Sequence, residues 1–457
     1  MAAAPGYTQR IPLPYGPLGD FLHDPLAFQR AARERFGDVF RFRVGPIVTH
    51  FLFHPDGVHR VLVEHQKNYL RGWQYRFMKR LFGANLTTSE GAFWLRQRRL
   101  AQPAFDRRRL SGYADVMVDA ASQLVSRWQA IASAAPAVEA RREMSRVTLA
   151  ITSRTLFDRD VSQEADEVGK AFVVMGEYFE HRMNHPVSSP PSWVPTSMNR
   201  RFKCAVSTIN QIVAAIVRER RSDESDRGDL LSMLVQARDE ETGERMTDEQ
   251  LRSEVVNFLL AGYETTATAL TWTFYLLASH PAVRVRVCDE VRKVIGDRLP
   301  CAADVPQLTV TRAVIQESMR LYPPVWAIPR QVVAADEIGG FRIPARSTVV
   351  LCPYVTHRHP SFWDAPEVFD PDRFTDERAQ GRPKGAYFPF LGGPHQCIGN
   401  EFALMEMQLV VARILQEFDV TIAPGQDIKP TASLGLWPTG PIWLNVRATR
   451  SPSPSLP

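Results

Sequence analysis

The stretch Phe390-Leu-Gly-Gly-Pro-His-Gln-Cys-Ile-Gly399 joins a turn rich in glycine and proline to an amphipathic run. The following residues repeat apolar side chains with a helical period, at Phe402, Met405, Leu409, Ala412 and Leu415. This spacing predicts that Cys397 lies at a helix N-terminus, where backbone N–H groups and the helix dipole stabilise a thiolate. The glycines at 392, 393 and 399 would let a flat group approach the backbone. A thiolate in this setting is a candidate iron ligand, and thiolate ligation of haem favours O–O cleavage.

A second segment, Ala261-Gly-Tyr-Glu-Thr-Thr266, lies in the middle of a long helical pattern. Thr247-Asp-Glu-Gln250 predicts a capping box at its start, and the pattern then continues for about thirty residues, roughly 50 Å. Ala261 and Thr265 share a face, and Thr265 can bond back to the carbonyl of Ala261 and open the helical ladder. The Thr265 hydroxyl and the Glu264 carboxylate could then deliver protons to bound oxygen. A polar helix patch is the alternative interpretation.

Both segments resemble signatures of the cytochrome P-450 family. The second is similar to the element (Ala or Gly)-Gly-x-(Asp or Glu)-Thr. The first matches Phe-x-x-Gly-x-(Arg or His)-x-Cys-x-Gly at every fixed place, namely Phe390, Gly393, His395, Cys397 and Gly399. Most members carry arginine where this chain has His395. The alternative, a buried structural cysteine, does not account for five matching positions in a turn followed by a helix.

The resemblance implies haem b (iron protoporphyrin IX) as cofactor, with Cys397 as the iron ligand. It implies that Phe390, His395, Gly399 and Ala261 contact the haem. Glu264 and Thr265 would be the catalytic acid and alcohol.

Further motifs imply a support for the cysteine loop. Glu317-Ser-Met-Arg320 resembles the Glu-x-x-Arg element of the family, and Pro371-Asp-Arg373-Phe resembles the element that completes its triad. Buried charges persist only when they are paired, so the resemblance implies a structural triad of Glu317, Arg320 and Arg373. A solvated surface ion pair is the alternative for Glu317 and Arg320.

Arginines near Trp94 predict a contact with a haem propionate and a contact with a redox partner. Trp94-Leu-Arg-Gln-Arg98 matches the Trp-x-x-x-Arg element whose side chains reach a haem propionate, and Arg330 is a third propionate candidate by resemblance. The flanking basic residues predict a docking surface for an acidic ferredoxin or flavodoxin, or serve solubility alone; they are Arg96, Arg99, Arg107, Arg108 and Arg109.

Apolar residues from five segments would form the substrate pocket if the resemblance holds. The candidates are Trp73, Phe77, Phe82, Phe179, Leu260, Val325, Ile328 and Leu436. Together they predict a lipophilic cavity suited to a terpenoid, a fatty acid or a polyketide. Any one of them could equally be core.

The composition excludes several classes. The hydrophobic fraction of 44% and charged fraction of 23% are those of a globular protein, and the net charge of +5 without a basic tract argues against nucleic acid. Five widely spaced cysteines form neither a zinc pattern nor a disulfide framework. Since neither a membrane span nor a signal peptide is visible, we expect a monomeric, cytoplasmic protein of bacterial type.

The sequence predicts a mainly α fold with a smaller β-rich lobe, the cytochrome P-450 fold (α+β), with haem between a long central helix and the cysteine-bearing loop and helix. We expect an extended N-terminal segment over residues 1–20, one haem domain over 21–449 and a disordered tail over 450–457. The predicted function is a monooxygenase that inserts one oxygen atom from O2 into a lipophilic molecule. Its electrons would come from a ferredoxin or flavodoxin with its reductase, since the chain leaves no room for a fused reductase. A peroxide-dependent peroxygenase and a haem sensor are the alternatives.

Overall fold

A computed structural model describes residues 2–9, 16–132, 137–161, 164–184, 189–222, 225, 227–238, 243 and 245–449. The tail over 450–457, predicted to be disordered, lies outside these described residues.

Helices make up most of the described chain. They are α1 (Gly16–His23), α2 (Pro25–Phe36), α3 (Pro55–His59), α4 (Trp73–Phe82), α5 (Gly91–Ala101), α6 (Arg107–Ala132), α7 (Ala140–Phe157), α8 (Ala165–Asn184), α9 (Ser197–Ser222), α10 (Leu230–Gln236), α11 (Asp248–Ser279), α12 (Pro281–Val294), α13 (Thr309–Leu321), α14 (Pro353–Thr356), α15 (Asp376–Ala379) and α16 (Asn400–Glu417). A short π-helical segment over Arg60–Glu64 directly follows α3. The predicted mainly α fold with a smaller β-rich lobe is confirmed.

The strands are short. They are β1 (Ala2–Ala3), β2 (Gly6–Gln9), β3 (Val39–Val44), β4 (Ile47–Leu52), β5 (Tyr69–Leu70), β6 (Ala137–Glu139), β7 (Ile328–Val332), β8 (Asp336–Ile338), β9 (Phe341–Ile343), β10 (Thr348–Leu351), β11 (Phe418–Ile422), β12 (Pro430–Ala432), β13 (Leu436–Pro438) and β14 (Trp443–Ala448). The largest sheet has the order β2-β3-β4-β10-β7-β5. The run Val39-Phe-Arg-Phe-Arg-Val44 alternates apolar and basic residues, a pattern that predicts a strand, and it forms β3 with these bounds.

Helix α11 runs through the largest hydrophobic cluster. Thr247 and Gln250 form the predicted capping box, and the helix ends at Ser279 before His280 and Pro281. It packs closely on α7, because a Cβ added to Gly262 would lie 2.8 Å from Thr152 Cγ2. The glycine thus permits close approach of two helices. Helix α11 continues through residues 261–266, and a local opening of its helical ladder there stays a prediction.

The N-terminal segment is only partly extended. Residues 2–3 and 6–9 form β1 and β2, and β2 pairs in parallel with β3. Residues 16–20, however, belong to α1, so the prediction of an extended segment is wrong for them. Pro17 explains the difference, because proline fits the first turn of a helix, where its missing N–H has no partner to lose.

Within the described residues, none of the helices has both the length and the apolar character needed to cross a membrane.

Candidate active site

The cysteine loop is a tight turn held against the β-rich lobe. Cys397 donates its backbone N–H to the carbonyl of Phe390 at 2.9 Å, which closes the turn. Gly393 has φ +65°, and a Cβ there would lie 2.0 Å from the carbonyl oxygen of Leu62 in the π-helical segment. Helix α16 begins directly after Gly399, as predicted. Close backbone packing therefore fixes the position of Cys397.

The thiol of Cys397 differs electrostatically from the prediction. Burial among protein atoms raises its pKa, and the Gly399 N–H and the Arg98 charge lower it only in part. The two stabilising influences expected at a helix N-terminus are present, but desolvation outweighs them. Nevertheless, part of the Cys397 surface is accessible. Coordination to a metal ion would deprotonate this thiol outright.

A cluster of cations and aromatic rings lies beside the loop. The Trp94 ring packs against the His395 ring with centroids 4.1 Å apart and an angle of 42° between the ring planes. Arg98 Nη1 donates to the carbonyl of Gln396 at 2.8 Å. Burial and the charges of Arg71, Arg330 and Arg98 lower the pKa of His395 to about 3. The imidazole is therefore neutral near pH 7, whereas an arginine in its place would be charged.

Arg71 belongs to this cluster, and the sequence analysis missed it. Its guanidinium and that of Arg330 both lie over the ring of Tyr75, with distances of 5.8 and 5.7 Å to the centroid. Arg71 also donates its backbone N–H to Glu90 Oε1 at 2.8 Å and its Nη1 to the carbonyl of Ser89. No motif signals Arg71, because only tertiary folding brings it to Arg330.

The acid and the alcohol on α11 have different partners. Thr265 Oγ1 donates to the carbonyl of Ala261 at 2.8 Å, which confirms the predicted back-bond. Glu264 is buried, and its Oε1 accepts a 2.7 Å hydrogen bond from Trp437 Nε1. Burial raises the pKa of Glu264 to about 7, although Arg141, Trp437 and Tyr263 act in the opposite direction. This carboxyl group can therefore both give and accept a proton near neutral pH.

The three residues of the predicted triad meet and are buried. Arg320 makes two hydrogen bonds to the Glu317 carboxylate, at 2.6 and 2.7 Å, and Arg373 Nε lies 3.4 Å from Glu317 Oε1. Arg320 also donates to the carbonyl of His357 at 2.9 Å. The His357 ring in turn accepts the N–H of Phe388 at 3.0 Å, two residues before the loop. These contacts connect the triad to the start of the cysteine loop.

The pocket candidates fall into two groups: six are at least partly accessible, and two are closed off in the core. Phe77 on α4 and Phe179 on α8 lie together, with ring centroids 5.9 Å apart. Phe82 and Leu260 are half-buried, while Trp73 and Val325 are exposed. Two candidates belong instead to closed clusters, which makes them unsuitable as open pocket walls; these are Ile328 and Leu436, with exposed fractions of 2% and 0%. The alternation of inward and outward residues along β7 places Ile328 in the sheet core.

The residues present fit a haem. Ala261 is exposed although the residues two positions away on either side along α11 are buried, so a flat group could lie against it. The buried Nδ1 of His395 has no hydrogen-bond partner among the described residues. The guanidinium groups of Arg71, Arg98 and Arg330 suit two propionates, and the accessible Cys397 in the loop suits an iron ligand. Within the described ranges, His, Cys, Asp and Glu side chains form no metal-binding group of three or more.

Comparison with known proteins identifies the family. The family model "Cytochrome P450" matches residues 12–446. The chain belongs to the cytochrome P-450 family. The cytochrome P-450 fold is also found in solved structures that superpose on nearly the whole chain. The cytochrome P-450DA heme domain has a TM-score of 0.88 and 29% identity over 98% of each chain. A cyanobacterial cytochrome P-450 with bound retinoic acid has a TM-score of 0.86 and 25% identity over 98% of this chain and 99% of its own.

Curated relatives include three Streptomyces enzymes. Cyclooctatin synthase of Streptomyces melanosporofaciens is 36% identical over 90% of this chain and 89% of its own. Cyclooctat-9-en-7-ol 5-monooxygenase of the same organism is 34% identical, over 88% of this chain and 86% of its own. Pentalenene oxygenase of Streptomyces avermitilis is 31% identical over 91% of each chain. This cytochrome P-450 is therefore an oxidoreductase of the haem-dependent monooxygenase class, which uses O2 and a substrate.

Proposed function

We propose that this cytochrome P-450 inserts one oxygen atom from O2 into a terpenoid, using haem b and electrons from a separate ferredoxin or flavodoxin with its reductase. The names of the curated relatives, cyclooctat-9-en-7-ol 5-monooxygenase and pentalenene oxygenase, support the terpenoid class. The observation that carries the reaction type is the buried Glu264 beside the back-bonded Thr265 on α11. A sensor or a peroxide-dependent enzyme would not need this pair.

We propose that Cys397 ligates the haem iron and that the cation cluster binds the propionates. When bound, a haem with a thiolate ligand supplies the chemistry that cleaves the O–O bond. Trp94, Arg98, Arg330 and His395 are the propionate contacts expected from the sequence. Arg71 would be a further contact, since its guanidinium lies over the same Tyr75 ring as Arg330, although it is also 3.5 Å from Glu90 Oε1. Phe390, Gly399 and Ala261 would line the two faces of the ring.

Glu264 and Thr265 of α11 would transfer protons during the reaction. The Thr265 hydroxyl already donates to the Ala261 carbonyl, so it is oriented and can accept a proton from a neighbouring acid. Glu264 is suited to be that acid because its pKa of about 7 leaves a substantial protonated fraction at neutral pH. A general acid acts best when its pKa lies near the working pH.

The remaining assignments concern the support of the cysteine loop, the substrate pocket and the cellular compartment. We assign Glu317, Arg320 and Arg373 to holding the cysteine loop, through the hydrogen bonds to His357. Phe77, Phe82, Phe179, Leu260, Val325 and Trp73 are the remaining pocket candidates. The five cysteines are all free, which supports a reducing compartment such as the cytoplasm. We also propose a monomer.

The redox partner would dock near α5. Arg99, Arg107 and Arg108 are exposed there, and Arg109 donates to the carbonyl of Gly228. Surface cations of this kind steer an acidic protein at low ionic strength. We expect the rate of electron transfer from an acidic ferredoxin to fall steeply as salt is added. The double variant Arg107→Glu/Arg108→Glu should slow that transfer, while dithionite still reduces the enzyme normally. Unchanged ferredoxin kinetics would exclude this surface.

The absorption spectrum of the reduced protein with carbon monoxide bound tests the proposed thiolate ligation directly. Its Soret band should have the position typical of a thiolate-ligated haem, and Cys397→Ser should lose it. A Soret band typical of a histidine-ligated haem would contradict the assignment. Terpenoid alcohols and olefins should shift the ferric spin state, and turnover with a surrogate ferredoxin, its reductase and NADPH should give an oxygenated product containing ¹⁸O from ¹⁸O2. Product formed only with hydrogen peroxide would favour the peroxygenase.

A further inference from the structure

The carboxyl group of Glu264 is held on one side of α11 by a residue 173 positions further along the chain. Trp437 in β13 donates its indole N–H to Glu264 Oε1 at 2.7 Å, and the bond is buried. The neighbouring Tyr263 also favours the ionised form of this carboxyl group and so lowers its pKa. Glu264 is 8% exposed, so the bond from Trp437 forms with little competition from water.

Arg141 completes the arrangement from α7. Its guanidinium lies over the Trp437 ring, 3.9 Å from the centroid, and its charge acts on Glu264. Arg141 is half-buried and can reach solvent at the start of α7. The charged and titratable groups around the carboxyl are thus Arg141 from α7 and Tyr263 from α11, with the indole dipole of Trp437 from β13.

The hydroxyl of Thr265 takes no part in this cluster. Consecutive helical residues point about 100° apart around the axis, and the Thr265 hydroxyl is bonded to the Ala261 carbonyl. Among the described hydrogen bonds none joins Glu264 to Thr265. The acid must therefore leave Trp437, or act through water, before its proton can reach the alcohol.

We propose that Trp437, backed by Arg141, is a positioning residue for proton delivery, because it holds the Glu264 carboxyl on the α7 side of α11 between turnovers. This inference rests on the roles proposed above for Glu264 and Thr265. When Glu264 gives up its proton it becomes a carboxylate, which binds the indole N–H more strongly than the neutral acid does. Trp437 therefore draws the spent carboxylate back to the α7 side, beside Arg141, before its next protonation.

The variant Trp437→Phe tests the proposal, because phenylalanine keeps an aromatic ring for Arg141 and removes the N–H donor; the loss of ring volume is matched in the control below. Loss of a hydrogen bond to the ionised form should raise the pKa of Glu264 by about one to two units. An infrared pH titration of the protonated carboxyl band reads this shift without turnover, and the band is assigned by its loss in Glu264→Gln. In turnover, the alkaline limb of the pH profile should move upward with it, and the ratio of product to hydrogen peroxide should change.

Trp272→Phe is the matched control. Trp272 is also buried and donates its indole N–H at 2.7 Å, but to the carbonyl of Leu436, so its loss should leave the carboxyl titration unchanged. Arg141→Gln is the second variant and should also raise the pKa of Glu264 if Trp437→Phe does not fold. The proposal is overturned if the carboxyl band titrates as in wild type in both variants, or if Trp272→Phe shifts it equally. If the monooxygenase assignment itself were wrong, the wild-type protein would form no oxygenated product. The carboxyl band of Trp437→Phe would still shift in the infrared titration.

Discussion

Replacing Gly393 by alanine should displace the cysteine loop, because the structure leaves no room for a methyl group at this position. The added Cβ would lie 2.0 Å from the carbonyl oxygen of Leu62, and the backbone there has φ +65°. The contact is with a backbone atom, so no side-chain rotation relieves it. Either the loop or the π-helical segment must move.

Two contributions set the expected loss in the free energy of unfolding. The left-handed backbone conformation costs an alanine about 1–2 kcal/mol. Forcing a methyl group into a closely packed site costs about 1–3 kcal/mol more. Gly393→Ala should therefore lower the free energy of unfolding by about 2–5 kcal/mol, and reduce the fraction of protein with a thiolate-type carbon monoxide spectrum.

Two other glycines separate these contributions. Gly392 has an extended backbone (φ −163°), and its added Cβ would meet only Leu62 Cδ1, at 3.9 Å. Gly381 has φ +80°, and a Cβ there would meet nothing within 4 Å. Urea titrations should rank Gly392→Ala near wild type, Gly381→Ala slightly below it and Gly393→Ala lowest. If Gly393→Ala keeps the stability and spectrum of Gly392→Ala, the close packing inferred for the loop is wrong.

Three further predictions concern polar groups of α11 and of the triad. Thr265→Ala should divert reducing equivalents to hydrogen peroxide by removing the hydroxyl bonded to Ala261; coupling equal to wild type, measured as product per NADPH, would remove Thr265 from its role. Glu317→Gln should lower the free energy of unfolding by about 3–5 kcal/mol, since it leaves the buried Arg320 without its counter-ion; a urea midpoint within error of wild type would contradict this. Glu254 is buried, and burial raises its pKa to about 8. Its contribution to the free energy of unfolding is therefore fully present below its unfolded pKa near 4.5. This contribution is lost as the pH rises through 8. Glu254→Gln keeps an acceptor for the Leu86 N–H and should therefore flatten the fall in stability between pH 5 and pH 9, measured by urea titration; parallel curves for both proteins would refute it.

Features encoded over short distances could be predicted from the sequence. The capping box at Thr247 and Gln250, the back-bond of Thr265 and the strand over Val39–Val44 each depend on residues within a few positions of one another. The Glu317–Arg320 pair is likewise one helical turn apart.

Features that depend on tertiary contacts could not be predicted in this way. Arg71 meets Arg330 only through folding, and Trp437 reaches Glu264 across 173 positions. The pKa of Cys397 depends on how many protein atoms surround the sulfur, which the helix pattern does not encode. For Leu436 the sequence identifies an apolar residue but not the core into which it packs.

The clamp between Arg71 and the Ser89–Glu90 pair has an evolutionary consequence. It brings together the two ends of the segment over residues 71–90, within which α4 has no fully buried residue. Tyr75 of α4 contacts Arg71 and Arg330, whereas Arg76, Lys79 and Arg80 are exposed. We expect natural variants to accumulate substitutions at these exposed positions of α4, and not at Tyr75, without loss of haem binding.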